Sequence, residues 1–266
     1  MMDPHSKRLI AVDIGNHQLK FGLLPTEKAI PLPQPSSVLK VPTQGELFDE
    51  LARWLPTGRL NWCVATVHRQ AELRLSEWVR KHRPNDQYVL LGNGDLPIDI
   101  RVDHPEQVGA DRLLAAVAVN QLRAADRAAI VVDAGSAITV DLLSAGGAFE
   151  GGVILPGLDM VAKAMARQTD LLPFVQYSIA DKPPPIVGKS TTGAISSGLF
   201  WGSIGAVREA VSRMSSELEA DSQLFLAGGD AGKLSPFLPR SAQVVPELVL
   251  AGIAVTYAQL KERSTG

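Results

Sequence analysis

The stretch Val131–Asp141, "VVDAGSAITVD", decides the fold, because an apolar run ends in an acid and a glycine and a second apolar run follows at once. Residues 11–22, "AVDIGNHQLKFG", have nearly the same order. Each stretch predicts a buried strand, a tight turn and an antiparallel partner strand. The acid of each hairpin, Asp13 or Asp133, stands where the first strand ends.

Each Asp-x-Gly hairpin opens a block of roughly half the chain, and strands alternate with amphipathic helices throughout, which is typical of the α/β class. We therefore infer an internal duplication of one fold, with two lobes, 1–125 and 126–266, that face a cleft. Residues 31–42, "PLPQPSSVLKVP", carry four prolines and two serines and are predicted to be a surface connection.

Composition excludes several classes of protein. The 266 residues carry a net charge of -2, with no basic cluster typical of a nucleic-acid-binding or membrane-binding surface. The single cysteine, Cys63, lies in an apolar run and predicts a buried thiol in a reducing compartment. We find no signal peptide and no bilayer-spanning window, so we expect a cytoplasmic protein with no nucleic-acid or membrane partner.

The two hairpins could bind phosphate. Glycine lets a ligand approach the backbone closely, Asn16 and Ser136 can donate hydrogen bonds, and an acid at a strand end can hold a hard cation. Each acid could equally accept only the N–H groups of its own turn. Two such hairpins at matched places, together with a third turn at Gly228-Gly229, favour nucleotide binding. That third turn fits beneath a purine or ribose, or is an ordinary loop between a strand and a helix.

The stretch "HPEQVGADRLL" suggests a catalytic base. Gly109 allows a turn, and Asp111 and Arg112 then fall in the first turn of a predicted helix. A carboxylate is favoured there by roughly 0.3–1 kcal/mol through the helix dipole. Asp111 either caps the helix or accepts the proton of an alcohol that is being phosphorylated. Arg112 either binds substrate or steadies Asp111, or is a solvated surface charge.

Taken together, these motifs resemble those of the type III pantothenate kinases, a family of the acetate and sugar kinase–Hsp70–actin superfamily. They match in order along nearly the whole chain: "AVDIGN", "PEQVGADR", "VVDAGSAITVD", "GGVILPG", "STTGAISSG" and "LAGGDA". The resemblance implies duplicated ribonuclease H-like lobes of the actin-like ATPase type, with mixed sheets flanked by helices. It also implies a homodimer that phosphorylates pantothenate with ATP, the first step of coenzyme A biosynthesis.

The resemblance further implies a role for individual residues. The ATP site would comprise Asp13, Ile14, Gly15, Asn16, His17, Gln18, Leu19, Lys20 and Ser136, joined by Gly228 and Gly229 of the third turn. The pantothenate site would comprise Gly109, Ala110, Asp111, Arg112 and Thr191, with Asp111 as proton acceptor. Asp133 would bind a monovalent cation, K⁺ or NH₄⁺, and Mg²⁺ would bridge phosphate oxygens.

The chain departs from the family pattern at three positions. His17 replaces the usual Thr or Ser after "DIGN", where it either contacts phosphate or is a solvated turn residue. Ser136 replaces Thr and keeps the hydroxyl, and Ser190 stands where the family has Asn. Two alternatives stay open: another small-molecule kinase or ATPase of the superfamily, and a non-catalytic, nucleotide-binding regulatory paralogue, for which His17 is the supporting feature.

Overall fold

The structure, a computed structural model, describes residues 8–24, 32–45, 48–176, 183–218 and 220–265. The chain forms two compact units. The first comprises Met1–Leu122 together with Glu247–Gly266, and the second comprises Arg123–Pro246. Among the described residues, no helix combines the length and the apolar character needed to cross a bilayer.

The first unit begins with a β-hairpin and continues with alternating helices and strands. Its elements before the chain enters the second unit are β1 Arg8–Ile14, β2 Gln18–Leu24, β3 Ser37–Pro42, α1 Phe48–Trp54, β4 Leu60–Thr66, α2 Arg69–His82, β5 Gln87–Leu90 and α3 Ala110–Asn120. The sheet order is β3-β2-β1-β4-β5, with β1 antiparallel to β2 and parallel to β4.

The second unit repeats this plan. Its elements are β6 Ala129–Ala134, β7 Ala137–Leu143, β8 Phe149–Pro156, α4 Leu158–Gln168, α5 Thr191–Ser216, β9 Gln223–Ala227, α6 Ala231–Leu234 and β10 Gln243–Val244. The sheet order is β8-β7-β6-β9-β10, with β6 antiparallel to β7 and parallel to β9. Strands β6 to β10 thus take the places that β1 to β5 have in the first sheet. The predicted fold class, duplicated mixed sheets flanked by helices, is confirmed.

The last helix, α7 Leu248–Thr265, belongs to the first unit, where it packs against α3 and β1. Its approach to α3 is close, because a Cβ atom at Gly252 would lie 2.0 Å from the carbonyl oxygen of Leu114. The division into units therefore differs from the predicted lobes: the chain passes from one to the other at 122–123 instead of 125–126, and it returns at its end.

Burial explains why the first strand is so apolar. Every residue of β1 after Arg8 is buried, because α1 and α2 cover one face of the sheet and α7 covers the other. A strand that is covered on both faces needs a continuous apolar run instead of an alternating one. Asp13 interrupts that run only at the carboxyl end of the strand, where the hairpin turn begins.

The segment 31–42 was predicted to be a surface connection, and that prediction was wrong for its second half. Residues Ser37–Pro42 form β3, which pairs antiparallel with β2 at the edge of the sheet. Its exposed and buried residues alternate along the strand, with Leu39 and Val41 facing the core. Pro42 is tolerated because it ends an edge strand, where a missing N–H costs little.

Candidate active site

The first Asp-x-Gly hairpin places an acid beside a tight turn. Asp13 pairs with Lys20 across β1 and β2, and the Lys20 Nζ atom lies 3.9 Å from Asp13 Oδ2. Between the strands, the Gly15 N–H donates to the carbonyl oxygen of Gln18 at 3.0 Å. Asp13 is buried, whereas Asn16 and the rest of the turn to Gln18 are exposed. The turn is therefore accessible to a ligand while the acid next to it stays partly shielded.

Asp111 lies in the first turn of α3, as predicted, with Gly109 as the residue before the helix. The Asp111 Oδ1 atom accepts a hydrogen bond from the Arg112 N–H at 2.9 Å. A Cβ atom at Gly109 would lie 2.5 Å from the same Oδ1 atom. The glycine thus leaves room for the carboxylate, and both Asp111 and Arg112 are half-buried.

Within the first unit, the start of α3 lies at the same sheet edge as the first hairpin turn. The Val67 N–H, just after β4, donates to the carbonyl oxygen of Ile14 at the end of β1, at 3.0 Å. A Cβ atom at Gly109 would lie 3.8 Å from Val67 Cγ1. The carboxyl ends of the parallel strands β1 and β4 therefore meet the segment that carries Asp111, which is the usual ligand-binding edge of an open α/β sheet.

Asn93, half of an Asn-Gly pair that predicts only a turn, holds the segment that leads to Gly109. Its Nδ2 atom donates to the carbonyl oxygens of Pro105 at 3.1 Å and Val108 at 3.0 Å. The sequence offers no signal for this role beyond the Asn-Gly pair itself, because the contact joins positions more than ten residues apart.

The second hairpin has the same construction in the second unit. Asp133 is the half-buried acid near the end of the otherwise buried strand β6. The Gly135 N–H donates to the carbonyl oxygen of Ala137 at 3.0 Å. Ser136 is exposed in the turn. Its hydroxyl is thus placed where a ligand could reach it.

The third glycine turn lies directly against the second hairpin. Gly228 has a φ of +89°, and a Cβ atom there would lie 2.3 Å from the Ala134 carbonyl oxygen and 2.5 Å from Asp133 Oδ1. Gly157, after β8, is equally close, because a Cβ atom there would lie 2.3 Å from the Ser136 carbonyl oxygen. The structure therefore brings Asp133, Ser136 and Gly228 together, and Gly229 follows as an exposed residue.

Thr191 is exposed at the start of α5, after Ser190, whose Oγ atom accepts from the Gly193 N–H at 3.1 Å and so caps the helix. Serine is one of the residues favoured at the N-cap of a helix. Thr191 also lines an apolar groove of about 500 Å³, formed by residues of β7, β8, α4 and α5 with Leu155 and Ile195 among them.

The residues near Asp133 include oxygen atoms of the kind that a hard cation binds. Within the described ranges, there is no group of three or more His, Cys, Asp or Glu side chains that could hold a metal ion. Asp133 supplies one carboxylate, and the carbonyl oxygen of Ala134 lies against the same Gly228 turn, where it accepts from the Asp230 N–H at 3.1 Å. A hard cation takes oxygen ligands, so phosphate and water oxygens would have to complete its coordination.

Comparisons with known proteins identify relatives along nearly the full length of the chain. The family described as type III pantothenate kinase matches residues 9–213. A type III pantothenate kinase of Dehalococcoides mccartyi (strain ATCC BAA-2266 / KCTC 15142 / 195) is 32% identical over 265 residues, which cover 95% of this chain and 98% of that protein. One of Alkalilimnicola ehrlichii is 33% identical over 247 residues, covering 92% and 96%.

Solved structures show the same fold at low sequence identity. A candidate Baf family transcriptional activator from Campylobacter jejuni has a TM-score of 0.59 and 21% identity, covering 95% of this chain and 99% of that one. A candidate 2-dehydro-3-deoxygalactonokinase from Sinorhizobium meliloti has a TM-score of 0.54 and 12% identity, with the same coverage. The family match includes both Asp-x-Gly hairpins and the segment around Asp111, and the chain therefore belongs to the type III pantothenate kinase family.

Proposed function

We propose that this chain is a cytoplasmic pantothenate kinase, which transfers the γ-phosphoryl group of ATP to pantothenate and yields 4′-phosphopantothenate for coenzyme A biosynthesis. Family membership supports the activity. The observation that carries the assignment of roles is the position of the Gly109–Asp111 segment at the carboxyl ends of β1 and β4, beside the first hairpin turn.

Asp111 is the proposed general base. Its Oδ1 atom accepts from the Arg112 N–H, and we assign the second carboxylate oxygen to the pantothenate hydroxyl. The hydroxyl proton passes to Asp111 as the hydroxyl oxygen bonds to the γ-phosphorus, the bond to the β–γ bridging oxygen breaks, and ADP leaves. Alignment contributes more than basicity here, because phosphoryl transfer gains mainly from positioning and charge neutralisation.

We assign the ATP phosphates to both hairpins. Residues 13–20 of the first unit, and Ser136 with the Gly228-Gly229 turn of the second, offer exposed backbone at the ends of buried strands. A divalent cation, which we take to be Mg²⁺, neutralises charge on the phosphate oxygens when bound. Asp133 would contribute a carboxylate oxygen to a K⁺ or NH₄⁺ site beside them, and Thr191 would contact pantothenate.

Family membership does not favour the two alternative functions. A kinase for another alcohol would keep the hairpins but would have no need for the "VGADR" segment. Only His17 supports a non-catalytic paralogue, and the His17 side chain is exposed in the turn.

A purified-protein assay tests the proposal. With ATP and Mg²⁺ in potassium buffer, ADP release should require pantothenate, and mass spectrometry should identify 4′-phosphopantothenate. ADP release with other alcohols but not with pantothenate would contradict the proposed substrate, and no ADP release with any alcohol would contradict the proposed catalysis. Replacing K⁺ with Na⁺ should lower the rate, whereas equal rates would remove the cation role of Asp133.

We also propose a homodimer, formed through the exposed edge strand β8 of the second unit. On this edge strand, Ile154 is 62% exposed and Val153 is 37% exposed. A second copy of the chain would cover this surface, since exposed apolar patches mark interfaces. Light scattering should give a dimer mass for wild type and a lower mass for Ile154→Asp. Leu73→Asp, which changes a leucine that is 58% exposed on α2, should stay dimeric.

A further inference from the structure

We propose that Thr43 is a positioning residue for ATP, because it holds the turn of the first hairpin in the shape that presents its backbone to phosphate. Thr43 belongs to none of the motifs quoted above and contacts none of the reacting atoms in the proposed mechanism. The inference rests on the proposed function, since that is where the turn is assigned to ATP.

Thr43 holds both ends of the turn at once. Its Oγ1 atom donates to the carbonyl oxygen of Gly15 at 2.9 Å, and its backbone N–H donates to the carbonyl oxygen of His17 at 3.0 Å. The side chain is only 1% exposed, in contrast to the exposed Asn16 between the two carbonyls. One buried residue thus fixes the two peptide groups that bracket the exposed part of the turn.

The direction of these hydrogen bonds favours an anion. A carbonyl oxygen carries partial negative charge and would repel phosphate, but the Gly15 carbonyl is directed at the buried Thr43 hydroxyl. In a planar trans peptide the N–H points opposite to the carbonyl. The N–H of Asn16, which shares the peptide group of the Gly15 carbonyl, therefore points away from Thr43. An outward backbone N–H in a tight turn is a donor suited to a phosphate oxygen.

Thr43 is itself anchored. It directly follows β3, and Arg74 of α2 donates through Nη2 to the Thr43 carbonyl oxygen. Arg74 of α2 thus holds Thr43, and Thr43 in turn holds the hairpin turn through Gly15 and His17. The hydroxyl is the part of this arrangement that a substitution can remove without changing the size of the side chain, so it gives the clearest test.

The test compares Thr43→Val with Thr43→Ser and with a matched control. Thr256 is also a buried threonine of the first unit, 0% exposed, and its Oγ1 atom donates to the Gly252 carbonyl oxygen at 2.9 Å, inside α7. Thr256→Val therefore removes the same kind of bond away from the turn. Isothermal titration calorimetry gives the Kd for ATP, and steady-state assays give KM and kcat.

We expect Thr43→Val to raise the Kd and the KM for ATP about tenfold, the effect of losing one well-placed hydrogen bond. The kcat and the KM for pantothenate should stay within about twofold, because Thr43 acts only through the ATP turn. Thr43→Ser, which restores the hydroxyl, and Thr256→Val should both bind ATP like wild type. An ATP affinity of Thr43→Val equal to that of Thr256→Val would overturn the inference.

The two proposals can fail separately. If wild type binds ATP and phosphorylates pantothenate while Thr43→Val binds ATP normally, only the role of Thr43 is contradicted. If wild type binds no ATP, the proposed function and the role of Thr43 fall together. If wild type binds ATP without phosphorylating pantothenate, the calorimetric comparison still decides the role of Thr43. Should Thr43→Val not fold, Thr43→Ala and Thr256→Ala are compared in the same way.

Discussion

At the scale of single residues, the proposed chemistry depends on the carboxylate of Asp111. Asp111→Asn keeps the size of the side chain and the oxygen that accepts from the Arg112 N–H, but it cannot take a proton. We expect kcat to fall by about 10²-fold or more while the Kd for ATP stays near that of wild type. Steady-state kinetics and calorimetry on the same preparation check both values. A variant that turns over at the wild-type rate would show that Asp111 only caps the helix.

A substitution at Gly109 should change the position of the Asp111 carboxylate without changing the stability of the fold. A methyl group at Gly109 would approach Asp111 Oδ1, which is the end of a side chain and can move at little cost in stability. We expect Gly109→Ala to melt close to wild type but to lose about 10–10²-fold in kcat/KM for pantothenate, the cost of a misplaced catalytic group. Gly94→Ala, where an added Cβ meets nothing within 4 Å, is the control. Unchanged kinetics in Gly109→Ala would contradict the placement.

Motifs locate some of the candidate site residues but not the residues that hold them. An acid and a glycine at the end of an apolar run are adjacent in sequence, so Asp13, Asp133 and their turns can be proposed from the order of residues alone. Thr43 and Asn93 hold turns and loops through hydrogen bonds to distant backbone atoms. Such contacts leave no local pattern, because any residue with a suitable donor could make them once the fold has placed it there.

At the scale of elements, the two hairpins follow directly from their sequences, whereas β3 does not. The apolar runs around Asp13 and Asp133 predict β1 and β6, because nearly every residue of these two strands is buried. β3 lies in a proline-rich segment, and its pairing with β2 is made by the sheet instead of by local propensity. Edge strands of this kind are difficult to predict, because half of their surface faces water.

The turn at Gly228 is a structural requirement for the second hairpin. Gly228→Ala would place a methyl group against the Ala134 backbone carbonyl, at a positive φ that alanine rarely adopts. We expect a loss of about 1–3 kcal/mol in the free energy of unfolding. Gly229→Ala is the matched control, since a Cβ atom there meets nothing within 4 Å. Denaturant titration measures both variants. Equal stability of the two would mean that the approach of the turn to β6 is not needed.

At the scale of the whole molecule, the same strand order appears in both units. The return of the chain to the first unit after Pro246 could not be predicted from the sequence. The last helix has the apolar character of a packed helix, but its sequence does not state which sheet it covers. In the structure, α7 packs on the first unit, where Gly252 lies close to the Leu114 carbonyl of α3. Duplication was predictable from repeated motifs, whereas the boundaries depend on tertiary packing.

Buried acidic groups predict how stability depends on pH. Burial raises the pKa of the Cys63 thiol to about 12, and burial, with the nearby Cys63, raises the pKa of Tyr257 to about 12. Burial also raises the pKa of Tyr88, whose hydroxyl donates to Glu72. The folded chain thus keeps protons that the unfolded chain releases from about pH 9 upward. The stabilising contribution is complete below pH 9 and is lost as the pH rises toward 12.

We therefore expect the free energy of unfolding to fall between pH 9 and 11, by up to about 1.4 kcal/mol per pH unit for each proton involved. Cys63→Ala should lower the stability at pH 7 through the cavity it creates, yet show a shallower decrease from pH 9 to 10. Urea titrations at half-unit steps of pH compare the two slopes. Equal slopes would mean that the thiol titrates alike in the folded and unfolded chain.

The central proposal is that the turn of the first hairpin binds the phosphates of ATP, while Asp111 of the same unit holds the pantothenate hydroxyl. A crystal structure with a non-hydrolysable ATP analogue and pantothenate tests it most directly. We predict phosphate oxygens within hydrogen-bond distance of residues 15–18, with the pantothenate hydroxyl on the Asp111 carboxylate. A nucleotide bound away from the turn of the first hairpin, or pantothenate bound away from Asp111, would contradict the account.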